Sequence, residues 1–321
     1  MKLLITGGAG FIGSNFIRLM LKKYPTYKIV NLDKLTYAGN LENLKDIKGQ
    51  RNYTFVKGDI CDLKLAQKLV SGADAVINFA AATHVDRSIQ DAGDFIKSNI
   101  QGTYTLLEAA RKSKIQRFLQ ISTDEVYGSV EKGRSKENDS LFPNSPYSAS
   151  KAAADHLVRA YGVTYKLPVM ITRSSNNFGP YQYPEKVIPL FITNLLEGKK
   201  VPLYGDGLNK RDWLFVLDNC RAIDAVLHKG KTGEIYNIGA GREIPNIDLT
   251  KKILKLSAMP ESRIQYVPDR PGHDRRYALN VNKLRNLGWR QEFSFSNALK
   301  LTIEWYKNNP HWWKRLKKPS S

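Results

Sequence analysis

Lys2-Leu-Leu-Ile-Thr-Gly7-Gly-Ala-Gly10-Phe-Ile-Gly13 decides the fold. Its first five residues form an apolar run of the kind found in strands buried on both faces of a parallel sheet. Gly7, Gly10 and Gly13 follow at once, and Ile12, Phe16, Leu19 and Met20 then recur at helical spacing. Residues 28–32 read as a second strand ending at Asp33. The unit is strand, glycine turn, helix, strand, acid. In such a unit one glycine permits the tight turn, one lets backbone approach a pyrophosphate, and one lets helix pack on strand. The phosphates rest on free N–H groups at the helix N-terminus. Asp33 falls twenty residues after Gly13. A carboxylate there accepts from ribose hydroxyls and repels a 2′-phosphate, so NAD is expected rather than NADP. The spacing is Gly-x-x-Gly-x-x-Gly, not the general Gly-x-Gly-x-x-Gly.

The alternation continues. Strand-like segments lie at 53–56, 74–79, 117–122 and 169–173, with helices at 95–111 and from Ser145 to about 166. This order argues for an α/β fold, a Rossmann-type doubly wound parallel sheet, over residues 1–175. Beyond 175 the loops carry Pro and Gly. Helices are expected near 185–197, 218–228, 247–256 and 296–306, and short strands at 201–204, 234–238 and 264–267. Residues 176–321 then form a smaller mixed α/β lobe over the carboxyl ends of the sheet, where ligands bind. Some chain crossing between the lobes is expected.

The 321 residues, 42% of them hydrophobic, suffice for one large domain or two ordinary ones with a sizeable core. No apolar run reaches the ~18 residues of a membrane span. A strand-like run begins directly after Met1, so no signal segment is expected. Cys61 and Cys220 lie far apart and match no metal-ligand spacing. No metal and a cytoplasmic location are expected. The net charge of +20 could suit nucleic acid, an anionic membrane or acidic small molecules. Its scatter, without long basic blocks, favours a solvated lysine-rich surface, so neither nucleic acid nor membrane is an expected partner. The basic residues are densest at Lys314, Arg315, Lys317 and Lys318. The stretch from Trp312 to Lys318 reads equally as a surface contact or an ordinary chain end.

Ser145-Pro-Tyr-Ser-Ala-Ser-Lys151 starts a helix. Ser145 can cap the orphan N–H groups and Pro146 suits the first turn. Tyr147 and Lys151 are four apart and share a face. An ammonium beside a phenol favours the phenolate, which would make Tyr147 a base near neutral pH. Strand 117–122 meanwhile runs out into Ser122-Thr-Asp-Glu-Val-Tyr-Gly128, placing polar groups beside the expected cofactor groove.

Taken together, the Gly7 turn, Ser122/Thr123, Tyr147 and Lys151 resemble the extended short-chain dehydrogenase/reductases. Thr123-Asp-Glu125 resembles the nucleotide-sugar 4,6-dehydratases among them. The likeness covers nearly the whole chain, including Asp33-Lys-Leu-Thr-Tyr-Ala-Gly-Asn40, His84-Val-Asp-Arg-Ser88, Asn176-Asn-Phe-Gly-Pro-Tyr-Gln182, Pro184-Glu-Lys-Val-Ile-Pro189, Arg211-Asp-Trp213 and Arg270-Pro-Gly-His-Asp-Arg-Arg-Tyr277.

The resemblance implies a lyase that removes water from dTDP-glucose, with bound NAD oxidising C4 transiently and returning hydride to C6. Tyr147 would take the C4 hydroxyl proton, Thr123 steady the oxygen, and Lys151 hold the nicotinamide ribose. Glu125 would remove the C5 proton and Asp124 protonate the departing C6 hydroxyl. On the cofactor side it implies Gly7, Gly10, Phe11, Ile12, Gly13, Asp33, Lys34, Thr36, Asp59, Ile60, Phe79, Ala80, Ala81, Ser98 and Asn177, with Tyr147 and Lys151. On the substrate side it implies Thr83, Thr123, Asn176, Lys186, Val187, Pro202, Tyr204, Asn246, His273 and Tyr277, with Arg211 and Arg270 on the diphosphate. His84 stays outside the catalytic set. A homodimer through a four-helix bundle of 95–111 and 147–166 is also implied.

One departure stands out. Ala82, in Ala80-Ala-Ala-Thr-His84, occupies a place where the family leads one to expect Glu or a similar polar residue. That bears on the sugar or nucleotide, not on the reaction class. UDP- or CDP-glucose 4,6-dehydratase and UDP-sugar 4-epimerase or decarboxylase remain as alternatives. An epimerase would not need Asp124-Glu125. A non-catalytic NAD-binding regulator would be expected to have lost Tyr147 or Lys151, and both are present.

Overall fold

A computed structural model describes residues 1–269 and 272–317. The first half of the chain forms β1 (Lys2–Thr6), α1 (Phe11–Lys23), β2 (Lys28–Asp33), β3 (Tyr53–Lys57), α2 (Leu63–Val70), β4 (Ala75–Asn78), α3 (Val85–Gln90), α4 (Gly93–Phe95), α5 (Gly102–Arg111), β5 (Arg117–Thr123), α6 (Pro146–Tyr165) and β6 (Val169–Ser174). The second half adds β7 (Asn176–Phe178), α7 (Val187–Leu196), β8 (Val201–Tyr204), β9 (Lys210–Phe215), α8 (Val216–Lys229), β10 (Ile235–Ile238), β11 (Glu243–Pro245), α9 (Asn246–Leu256), β12 (Ile264–Val267), α10 (Asn282–Asn286), α11 (Phe295–Asn308) and α12 (Pro310–Leu316).

Seven parallel strands make the central sheet, in the order β10-β6-β5-β4-β1-β2-β3. Leu3, Leu4 and Ile5 of β1 are fully buried because helices cover both faces. Helices α1 and α8 pack together on one face, α2, α5 and α6 on the other. The chain winds outward from β1 through β2 and β3, then restarts on the other side of β1 with β4. The crevice at that reversal lies between the turns after β1 and β4, the place where open α/β sheets bind ligands.

Two features differ from the sequence reading. Residues 235–238, read with the second lobe, pair with β6 as the seventh strand of the central sheet. The expected helix at 95–111 is divided: α4 and α5 are joined by a π-helical stretch, Ile96–Gln101. Beyond the central sheet stand β11-β9-β7 and the parallel pair β12-β8. Of these strands, β7, β9 and β11 carried no clear local signal.

Candidate active site

The glycine turn is built for close approach. Gly7 has φ +69°, and a Cβ there would lie 2.5 Å from the Ala80 nitrogen. A Cβ on Gly13 would meet the Gly7 carbonyl at 2.6 Å. Gly10 begins α1 with no side-chain cap, so the helix N-terminus keeps donors for an anion. Asp33, buried at the end of β2, accepts from Ala9 N at 2.9 Å and Leu35 N at 2.8 Å. Burial raises its carboxyl above the ordinary range. Lys34 pairs with Asp59 at 2.8 Å across the same rim.

A cavity of about 380 Å³ opens from this turn. Every residue assigned above to the dinucleotide, from Gly7 to Asn177, lines it. Thr123, Asp124, Glu125, Tyr147 and Lys151 line it too, so the residues assigned to the cofactor and those assigned to the reaction share one space. Of the substrate-side residues, Thr83, Asn176 and Lys186 also reach its wall.

The acids owe their positions to a change of backbone at the end of β5. Thr123 ends the strand, and its Oγ1 accepts from Glu125 N at 3.2 Å, capping the 3-10 turn Asp124–Tyr127. That turn buries Asp124 and leaves Glu125 half-buried. The Thr123 hydroxyl lies 3.3 Å from Asp124 Oδ1, while Asp124 Oδ2 is buried with no hydrogen-bond partner among the described residues. Burial pushes the Asp124 carboxyl well above the usual range, and the negative charges of Glu125 and Asp212 add to this. Desolvation thus favours the neutral form of the Asp124 carboxyl.

Helix α6 begins with a capping box. Ser148 N donates to Ser145 Oγ at 3.1 Å and Ser145 N to Ser148 Oγ at 3.0 Å, with Pro146 in the first turn. Tyr147 and Lys151 are both buried. The Lys151 ammonium donates to the Ile121 carbonyl at 2.6 Å. Burial lowers it to about 8. Tyr147 differs from the expected easy phenolate: burial raises it strongly, the charges of Glu125 and Asp124 raise it further, and a hydrogen bond with Thr123 opposes them.

Sequence reasoning missed Asn99, in the π-helical stretch. Its side chain accepts from Ala82 N at 2.9 Å and donates to Ala82 O at 3.0 Å and Ser150 Oγ at 2.8 Å. The widened turn thereby fixes the loop after β4 against α6; π-bulges often mark such sites. Ala82 itself presents only a methyl group. A carboxylate enters this wall from Glu185 instead, 3.3 Å from Arg87 and 3.6 Å from His84. Arg87 lies over the Tyr37 ring at 3.9 Å, and Tyr37 is another lining residue not singled out from sequence.

Val187, Pro202, Tyr204, Arg211, Asn246, His273 and Tyr277 lie outside the walls of this cavity. Arg211 and Tyr277 are nevertheless electrostatically near the acids: Arg211 opposes the rise of Asp124, and Glu125 helps raise Tyr277. The Arg211 guanidinium sits 4.3 Å from the Tyr277 ring and donates to Asp274 O at 2.7 Å. Buried Asp212, brought up to about 6 by burial, accepts from Gly241 N at 2.9 Å and Ala240 N at 3.1 Å. Tyr204 and His273 stack edge-on, and Asn246 starts α9. Arg270 and Lys318 fall outside the described residues.

A dinucleotide fits this space. It offers an uncapped helix N-terminus, a buried acid beside the turn, and buried Ser122 Oγ, Ser175 Oγ and Asn177 Oδ1 atoms without partners among the described residues. A family profile described as GDP-mannose 4,6 dehydratase matches residues 4–302. The dTDP-glucose 4,6-dehydratase of Streptomyces niveus is 50% identical, over 99% of this chain and 96% of its own length. The low-salt glycan biosynthesis protein Agl12 of Haloferax volcanii is 52% identical, over 95% of this chain and 98% of its own. The crystal structure of the dTDP-glucose 4,6-dehydratase DesIV from Streptomyces venezuelae, solved with NAD bound, superposes with a TM-score of 0.97 at 50% identity, covering 99% of this chain and all of that one. Half the residues shared along almost the full length of both chains, on one backbone, carry one conclusion: this chain belongs to the dTDP-glucose 4,6-dehydratase family.

Proposed function

We propose that the chain is an NAD-dependent lyase that removes water from dTDP-glucose, giving dTDP-4-keto-6-deoxyglucose for deoxysugar synthesis. The observation that carries this reading is the acid turn: Asp124 and Glu125 share one cavity with Thr123, Tyr147 and Lys151. An epimerase has no task for that pair. The C5 proton of glucose is not acidic until C4 is a ketone. When bound, NAD supplies the hydride acceptor at C4, the hydride donor at C6 and a cationic ring. Tyr147, as the phenolate that this cation and the Lys151 ammonium favour against its burial, accepts the C4 hydroxyl proton, and the Thr123 hydroxyl holds the oxygen. Lys151 sets the charge beside them. Glu125 removes the C5 proton, and neutral Asp124 protonates the leaving C6 hydroxyl. Arg211 and Arg270 hold the diphosphate, each with a planar fork suited to phosphate oxygens. Asn176, Lys186, Val187, Pro202, Tyr204, Asn246, His273 and Tyr277 complete the nucleotide-sugar side. Asp33 selects NAD over NADP.

Residues 1–175 hold the dinucleotide and 176–321 the sugar nucleotide, with α8 and β10 returning to the first part. The chain acts as a homodimer in the cytoplasm. Tyr104 on α5 and Val163 and Tyr165 on α6 are about half exposed, which suits a four-helix bundle between two copies. Among the described residues no helix is long and apolar enough to cross a membrane.

The test is turnover of the purified protein with dTDP-, UDP- and CDP-glucose and GDP-mannose, scored by absorbance of the 4-keto sugar in alkali. dTDP-glucose should give the highest kcat/KM. Faster turnover of another sugar reassigns the nucleotide. No 4-keto product from any of them, with NAD bound, removes the lyase reading.

A further inference from the structure

The aromatic end of the chain is not spent on the reaction, yet it reaches the cofactor turn. Trp312, on α12, is buried, and its indole Nε1–H donates to Asn43 Oδ1 at 2.8 Å. Asn43 is also buried, in the short 3-10 turn Leu41–Leu44. Its Nδ2 donates to Ala9 O at 2.8 Å, a carbonyl that also accepts from Asn40 N at 3.0 Å. Ala9 N in turn donates to Asp33 Oδ2. Ala9 stands between Gly8 and Gly10, which have no side chains of their own to hold the turn. The peptide groups on both sides of Ala9 are therefore held by Asp33 in front and by Asn43, backed by Trp312, behind.

The same cluster holds the opposite lip of the cavity. Tyr181, which lines that lip in the left-handed region at φ +68°, packs with ring centroids 4.7 Å from Trp305 and 6.0 Å from Trp312. The Arg18 guanidinium covers the Tyr181 ring at 4.3 Å and also donates to Asn43 O. Gln182, another lining residue, accepts at its carbonyl from Tyr306 OH.

We propose that Trp312 is a positioning residue for the dinucleotide: its indole N–H fixes the Asn43 amide, and through it the Ala9 carbonyl of the glycine turn. Asn43 has two ends to satisfy in a place closed to water. Without the indole N–H its oxygen is stranded, and the amide turns or shifts to find a partner, releasing Ala9 O. A turn no longer held in its bound shape must be ordered by the ligand, and affinity falls by that cost. Trp313 is the internal comparison. It is as deeply buried, but its Nε1–H donates to Tyr306 O at 2.9 Å, within the C-terminal helices.

The experiment is calorimetric titration of NAD into NAD-stripped full-length protein. The inference rests on NAD occupying the cavity, which the titration of the unaltered chain tests by itself. Trp312→Phe keeps the apolar bulk and removes the N–H. It should raise the NAD Kd roughly five- to thirtyfold, the factor for one or two lost kcal/mol, with turnover regained at saturating NAD. Trp313→Phe should leave the NAD Kd unchanged even where both variants lower Tm alike. Asn43→Asp keeps the acceptor for Trp312 but cannot donate to Ala9 O. It should raise the Kd as well, and it carries the test if Trp312→Phe does not fold. A parental Kd in Trp312→Phe, or in Asn43→Asp, overturns the proposal. So does an equal rise in Trp313→Phe.

Discussion

The Nζ of Lys151 lies 2.6 Å from the carbonyl oxygen of Ile121, one residue before Ser122 and two before Thr123. Strand β4 ends opposite Gln120, so its ladder stops just short of this carbonyl. The ammonium is thereby drawn inside the protein at the point where β5 delivers its polar residues, and burial makes its proton easier to lose.

That gives a pH dependence with a definite sign. Burial lowers Lys151 from the ordinary lysine value to about 8. It is charged below that pH and neutral above it. The kcat/KM of the unaltered protein should therefore fall as pH rises through about 8. Lys151→Arg stays charged at every working pH, so this alkaline limb should vanish in the variant whatever its plateau. A pH–rate profile of both proteins checks it; an identical limb in the variant assigns the ionisation elsewhere.

Tyr147→Phe removes the proton acceptor and keeps the ring in its place beside Phe95. Turnover should drop at least ~10²-fold, the lower end for loss of a general base, while NAD binding is retained. Steady-state rates and a cofactor titration measure the two. Near-parental turnover would mean that another group takes the C4 proton.

Glu125→Gln and Asp124→Asn should fail at different steps. With Glu125→Gln, C4 is still oxidised, because Tyr147, Thr123 and Lys151 are untouched. Elimination then stalls, since an amide cannot accept the C5 proton. Absorbance of reduced cofactor should build up, and solvent deuterium should enter C5 very slowly. With Asp124→Asn, exchange at C5 should survive while loss of water slows, because the buried acid no longer has a proton to give. Parental turnover with full deuterium incorporation in Glu125→Gln would remove Glu125 as the base.

A buried ion pair lies beneath this machinery. One turn beyond Lys151 on α6, Asp155 accepts from Arg173 Nε of β6 at 2.9 Å, with both side chains at most 4% exposed. Arg173 also donates to Tyr127 OH at 2.9 Å, tying the acid turn to the sheet. Asp155→Asn leaves a buried guanidinium without its counter-charge and should cost about 3–5 kcal/mol of stability. Denaturant unfolding of the two proteins measures it. A loss within error would mean that water or a backbone shift compensates Arg173.

The local chemistry of the sequence determined a great deal here. The Gly7–Gly13 turn between an apolar strand and an amphipathic helix, Asp33 at the end of the next strand, and the Ser145 cap before Tyr147 are all short-range features. Each rests on backbone freedom, periodicity or a cap, and each is found in the structure as read. The residues expected around the dinucleotide converge on one cavity because alternating strands and helices have few ways to pack. Tertiary structure decided the rest. A four-residue strand carries no register of its own, so only pairing with β6 shows that residues 235–238 complete the central sheet. Asn99 reaches Ala82 through a π-helical turn that has no sequence period. Trp312 and Asn43 meet across most of the chain. Above all, the proton affinities of Tyr147, Lys151 and Asp124 follow from desolvation, which depends on what the folded chain wraps around a group and not on its neighbours in sequence.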